Sequence, residues 1–173
     1  PSRGSPSLPS VGRRRPAAIR SPSDEREVPM TDGFTAEERA AMKERANEAK
    51  KASRRGTGAK KAQADRADCE AKIAEMPEND KTIAETLHQI VADTAPDLDP
   101  KTWYGMPAYA RDGKVIVFFK PAAKFKVRYA EVGFNEFARL DDGDMWPTAF
   151  AVVTMTPAVA KKLTTLVKKA ARP

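Results

Sequence analysis

The chain is poor in the residues that carry most site chemistry. It has one cysteine and one histidine among 173 residues. A lone Cys69 excludes an intramolecular disulfide and any multi-cysteine zinc site. It fits a reducing, cytoplasmic setting. With no CxxC spacing and no histidine neighbour, Cys69 reads as an unreactive thiol. His88 follows Leu87 beside an apolar stripe and reads as a helical boundary residue, since acid–base catalysis or metal ligation needs partners that the nearby sequence does not offer. No GxGxxG or GxxxxGK[ST] loop is present, and nothing suggests a nucleophile, base and orienter set. No run approaches the roughly 18–20 apolar residues that span a bilayer. No apolar segment follows the basic N-terminus, which argues against a secretory signal.

What the chain does have is charge. Lys and Arg number 31 against 24 Asp and Glu, a formal net of +7 with a pI near 9.6. The excess is uneven: residues 1–68 carry 16 basic and 10 acidic side chains, and residues 69–173 carry 15 and 14. The basic character belongs mainly to the N-terminal part, which weakens any inference of a nucleic-acid-binding core.

Residues 1–29 are rich in Pro, Ser, Gly and Arg and cannot bury enough apolar surface to offset the entropy of ordering. They read as a disordered basic tail whose Arg13, Arg14 and Arg15 are solvated or touch phosphate. Composition changes sharply after Met30, and the reading expects Met30 to be a natural start. Residues 30–67 read as a polar helical arm. Thr35 and Glu38 form a capping box that starts a helix running to about Arg55. Its apolar stripe is only Met42, Ala46 and Ala49, so it is helical by propensity with little to dock with. Gly56-Thr57-Gly58 breaks it, and a second Ala/Lys-rich helix follows from Ala59 to about Met76.

Residues 68–173 read as the folded domain. Pro77 separates helical pieces, and Ile83, Leu87, Ile90 and Val91 mark an amphipathic helix from about Asn79 to Thr94. Pro96 closes it. Ala108–Arg111 and Lys114–Lys120 flank Asp112-Gly113, and a two-residue turn between apolar runs predicts a hairpin. Val115–Phe119 is apolar on both parities, the mark of a central strand covered on both faces. Lys124–Tyr129 alternates strictly and predicts a strand with Phe125, Val127 and Tyr129 on one side and Lys124, Lys126 and Arg128 on the other. Thr148–Val153 reads as the last strand, and Thr156-Pro157 opens a final helix with Val159, Leu163, Leu166 and Val167 inward. The fold class is α+β: a small, mostly antiparallel sheet with N- and C-terminal helices packed on one face.

The segment Trp103-Tyr104-Gly105-Met106-Pro107-Ala108-Tyr109, followed by the hairpin, KVIVFFKPAAKFKVRYA and a final helix, resembles the YdhG-like family of bacterial domains of unknown function. The resemblance covers about Asp68 to Ala170. It implies a small α+β domain without established catalysis. Some family members are labelled frataxin-like intracellular iron chaperones, which makes iron a cofactor to consider here.

Three groups of candidate residues follow. The aromatic loop offers Trp103, Tyr104, Met106, Tyr109 and, from further on, Trp146 as the lining of a ligand pocket, with Gly105 permitting close approach and Pro107 fixing the chain. The plainer reading is a loop that plugs one end of the core. Lys124, Lys126 and Arg128, about 7 Å apart along a strand, offer an anion-binding or nucleic-acid row; the plainer reading is a solvated sheet face. Asp141, Asp142 and Asp144 offer oxygen donors for a metal ion, with Asp93, Asp97 and Asp99 as a second group. Both groups sit beside Gly or Pro, where aspartate also serves turns and caps. The expected function is non-enzymatic binding of a small ligand or metal ion. The alternative is a module that contacts nucleic acid or an acidic protein through a basic sheet face. No membrane partner is expected.

Overall fold

The computed structural model describes residues 33–173. The tail, its arginine cluster and Met30 lie outside them. Phe34–Pro173 form one compact unit, built as α1 (Ala36–Arg55), α2 (Ala59–Ala74), α3 (Glu78–Thr94), β1 (Asp99–Trp103), β2 (Met106–Arg111), β3 (Lys114–Lys120), α4 (Ala122–Phe125), β4 (Ala130–Phe134), β5 (Ala149–Val152) and α5 (Pro157–Ala170). The five strands form one antiparallel sheet in sequence order. This is the α+β class that the hydrophobic patterning predicts. No helix of the described residues is long and apolar enough to cross a membrane.

Strand alternation sorts the side chains between two faces. Tyr109, Val117, Phe119, Val132 and Phe134 share one face. They are buried with Ile83 and Leu87 of α3 and Leu163 and Val167 of α5. The opposite face carries a smaller cluster, in which Trp103 and Phe118 pack over Ala108, Ala110 and Val115. A register shift after Tyr109 leaves Ile116 as an extra residue in β3. That bulge explains how Val115 joins the smaller cluster while Ile116 and Val117 both reach the main core. Val115–Phe119 is thus the middle strand, apolar on both parities for the expected reason.

Local signals were honoured at the helix ends. Thr35 and Glu38 form both bonds of the capping box, and Thr156 caps α5 with Pro157 at its first position. The hairpin turn at Asp112-Gly113 has both central residues at positive φ, 50° and 79°, as a tight hairpin requires.

Three expectations fail. Lys124–Tyr129 is not a strand. Pro121 leads into the one-turn helix α4, whose Ala123 amide donates to the buried carboxylate of Asp80 at 2.8 Å. Lys126 then takes the left-handed conformation (φ 52°). The amides of Lys126 and Val127 reach back to the carbonyls of Ala123 and Ala122, a Schellman closure without glycine. Capping by a distant helix overrides a six-residue alternation. The missing strand is Ala130–Phe134, immediately beyond. Second, the segment from Trp103 to Tyr109 is not an irregular loop but the end of β1, a two-residue turn at Tyr104-Gly105 and most of β2. Third, α1 does not stand off as an undocked arm. Met42 is exposed and Ala41 is its buried residue, yet the helix is seated on the rest of the unit through charges.

Candidate functional site

The site is built on the turn between β1 and β2. Tyr104 and Gly105 both have positive φ, 55° and 67°. Successive left-handed residues bring neighbouring amides to the same side and form a small anion-binding concavity. That concavity is filled. The Tyr104 amide donates to Glu48 Oε2 at 3.1 Å and the Gly105 amide to Glu48 Oε1 at 2.7 Å. Each oxygen of one carboxylate takes one amide. The carbonyls of the same two residues accept from Lys124 Nζ, both at 3.0 Å, and that ammonium is also paired with Glu44. Glycine is favoured here by the positive φ, and a Cβ on Gly105 would displace the ends of the Glu44 and Lys124 side chains.

Around this turn lie two open, adjoining grooves. One, of about 360 Å³, is lined by Glu44, Asn47, Glu48, Lys72, Thr102 and Gly105 among others. The other, of about 410 Å³, continues past Gly105 to Pro77, Pro121 and Lys124. Glu44, Lys72, Glu75 and Gly105 line both. Lys72 Nζ lies 3.3 Å from Glu44 and 3.4 Å from Glu75. Burial works against its charge, but the two carboxylates outweigh it and hold the ammonium above the ordinary lysine value.

The helix that supplies Glu44 and Glu48 is ordered by charge rather than by apolar periodicity. Glu37, Ala41, Glu44, Glu48, Lys51 and Arg55 follow one another at helical spacing and so share one face of α1. Glu37 pairs with Lys126. Lys51 reaches Asp68 at 3.3 Å, and Arg55 reaches Asp65 at 2.8 Å and Asp68 at 3.0 Å. Two glutamates four residues apart repel on an isolated helix. Here amide and ammonium donors answer both.

The candidate residues read from the sequence do not gather in one place. Trp103 and Met106 pair across β1 and β2 and lie on the sheet face opposite Tyr109. Tyr109 is fully buried in the main core. Its hydroxyl lies 3.3 Å from His88 Nδ1, and the other ring nitrogen of His88 lies 3.9 Å from Glu70. Tyr104 packs edge-on against Trp103, with rings 5.0 Å apart, beneath the Arg45 guanidinium. Trp146 is half-buried against the main core. The aromatic set therefore divides between two faces and the turn.

The cation row does not exist as a row. Lys124 turns inward to the hairpin, Lys126 is exposed beside Glu37, and Arg128 stacks over Tyr129. Asp141, Asp142 and Asp144 are exposed in the connection between β4 and β5. Lys169 binds the carbonyl of Asp141 rather than its carboxylate. Asp97 is paired with Arg111, and Asp93 accepts from Gln89. Among the described residues no group of three His, Cys, Asp or Glu side chains is placed to hold a metal ion. Cys69 is fully buried, and burial pushes its thiol up to about 12, so it stays neutral.

Glu44, Glu48 and Lys72 are the site residues that the sequence reading passed over. The legible signal was the pair of carboxylates one turn apart on a helix without an apolar face. No family model matches this chain, and neither curated proteins nor solved structures give a match.

Proposed function

We propose that this chain is a non-enzymatic binding protein of the YdhG-like kind, which receives a small ligand in the charged groove beside the Tyr104–Gly105 turn. One observation carries the reading: the turn of the Gly-Met-Pro-Ala-Tyr motif, its amides held by Glu48 and its carbonyls by Lys124, borders a groove lined by lysines and carboxylates. Lys72 and Lys124 suit a ligand with an anionic group, a carboxylate or a phosphate, and Glu75 leaves room for a cationic one. The single cysteine and histidine stand outside this groove, since Cys69 is buried and neutral and His88 lies beside Tyr109. An iron-chaperone role needs oxygen donors to converge, and the groove offers mixed charge instead. The nucleic-acid alternative rests on a strand of alternating cations, and that segment is the end of the one-turn helix α4 followed by a turn and bends.

Native mass spectrometry of the protein isolated from its own host tests this. The expected result is a small-molecule adduct on the wild-type chain that is lost in Lys72→Gln. No adduct, or one retained by the variant, contradicts the reading; an iron adduct would replace it with the metal-binding one.

A further inference from the structure

The way α1 is attached carries a second conclusion, independent of what fills the open groove. Its only buried residue is Ala41, while Phe34 and Met42 are exposed. What seats it is a series of charged contacts: Glu37 to Lys126, Glu44 to Lys124 and Lys72, Glu48 to the turn amides, and Lys51 and Arg55 to Asp65 and Asp68. Ion pairs at or near the surface contribute little each and are screened by salt. The specific part of the contact is narrow. One carboxylate sits on two amides of a left-handed turn, and a second, one helical turn earlier, sits on Lys124. At its far end α1 leads into Gly56-Thr57-Gly58, where both glycines have positive φ (67° and 88°) and open space around them. Such a link lets a helix pivot without disturbing the sheet.

We propose that the Tyr104–Gly105 turn with Lys124 is a carboxylate-binding site for a helical segment. In this account α1 closes the site in cis with Glu48 and Glu44, and a partner protein's helix bearing the same glutamate pair competes for it. The partner helix is defined by the contacts α1 makes: two glutamates four residues apart, and a basic side chain seven residues after the second to meet Asp65 and Asp68. Apolar anchors at helical spacing are not required, because α1 itself supplies only Ala41. Closure is electrostatic, so raised salt and a competing helix with the glutamate pair both open it.

The test uses the full chain, wild type and Glu44→Gln/Glu48→Gln. The probe is a fluorescein-labelled peptide of sequence AEERAAMKERANEAKKASRR, read by anisotropy. The double variant should bind the peptide at least about tenfold more tightly than wild type. That binding should fall at least about tenfold between about 50 mM and about 500 mM salt, across which the screening length shrinks about threefold. Adding Lys124→Gln to the double variant, or replacing the two peptide glutamates that correspond to Glu44 and Glu48 by glutamine, should abolish it. Circular dichroism confirms that the variants keep the sheet. If the double variant loses it, the single variant Glu48→Gln decides instead: peptide binding tighter than wild type and weakened by salt supports the proposal, and binding no tighter than wild type overturns it. Equal binding by wild type and double variant, binding indifferent to salt, or equal binding of the glutamine peptide overturns the proposal. A wild-type dimer that exchanges α1 between copies overturns closure in cis.

Discussion

His88 and Tyr109 show how one residue pair is tied to the core. Burial holds the His88 imidazole below its ordinary pKa; Glu70 opposes this and Arg66 adds to it. The folded chain therefore takes up this proton at lower pH than the unfolded chain. The resulting stability is complete above the unfolded value of about 6.5. It is lost as pH falls below that value and through the lowered folded one. Urea unfolding at about pH 8 and about pH 5 checks this: wild type should lose more stability between the two than His88→Gln, and equal losses would refute it. The sequence placed His88 correctly at the edge of an apolar stripe, because Ile83, Leu87, Ile90 and Val91 recur at helical period. It placed Tyr109 in the hairpin strand Ala108–Arg111 but also in the aromatic loop that ends there; pairing with both β1 and β3 makes it a core strand residue on the face away from Trp103. Tyr104 and Gly105 were singled out as part of a motif, but their shared left-handed geometry becomes visible only once β1 is recognised as a strand.

Among the elements, α4 and α1 depart furthest from their local patterns, and in both a remote side chain decides. For α4 that side chain is Asp80, on the first turn of α3, 3% exposed and bound to the Ala123 amide. Asp80→Ala removes the partner of that amide and should cost about 1–3 kcal/mol, read as a lower urea midpoint with an unchanged slope. A loss below about 0.5 kcal/mol, less than a typical hydrogen bond contributes, would mean that α4 is held by its Schellman closure alone. Alternation in KFKVRY carried no trace of this cap, since the residues that form it lie 43 positions apart. For α1 the misleading signal was the absence of apolar periodicity. The helix itself, its capping box and its end before Gly56 were all legible. Its docking face was not, because it consists of Glu37, Glu44, Glu48, Lys51 and Arg55, which a hydrophobic search discards as solvent-facing.

At the scale of the whole molecule, the sheet order follows the chain order and every pairing is antiparallel, so the class and the central strand could be read from hairpin turns and apolar runs. The candidate site could not, because it is made by four elements that the sequence treats separately: the helices α1 and α2, a turn from the motif and a lysine from α4. Glu48 of α1 occupies the amides of the motif turn, and this contact holds the helix on the sheet. Amide hydrogen exchange at Tyr104 and Gly105 tests it most directly. In Glu48→Gln, protection at these two amides should fall at least about tenfold relative to wild type, while Val117 and Phe119 in β3 stay unchanged. Unchanged protection at Tyr104 and Gly105 in the variant would contradict it.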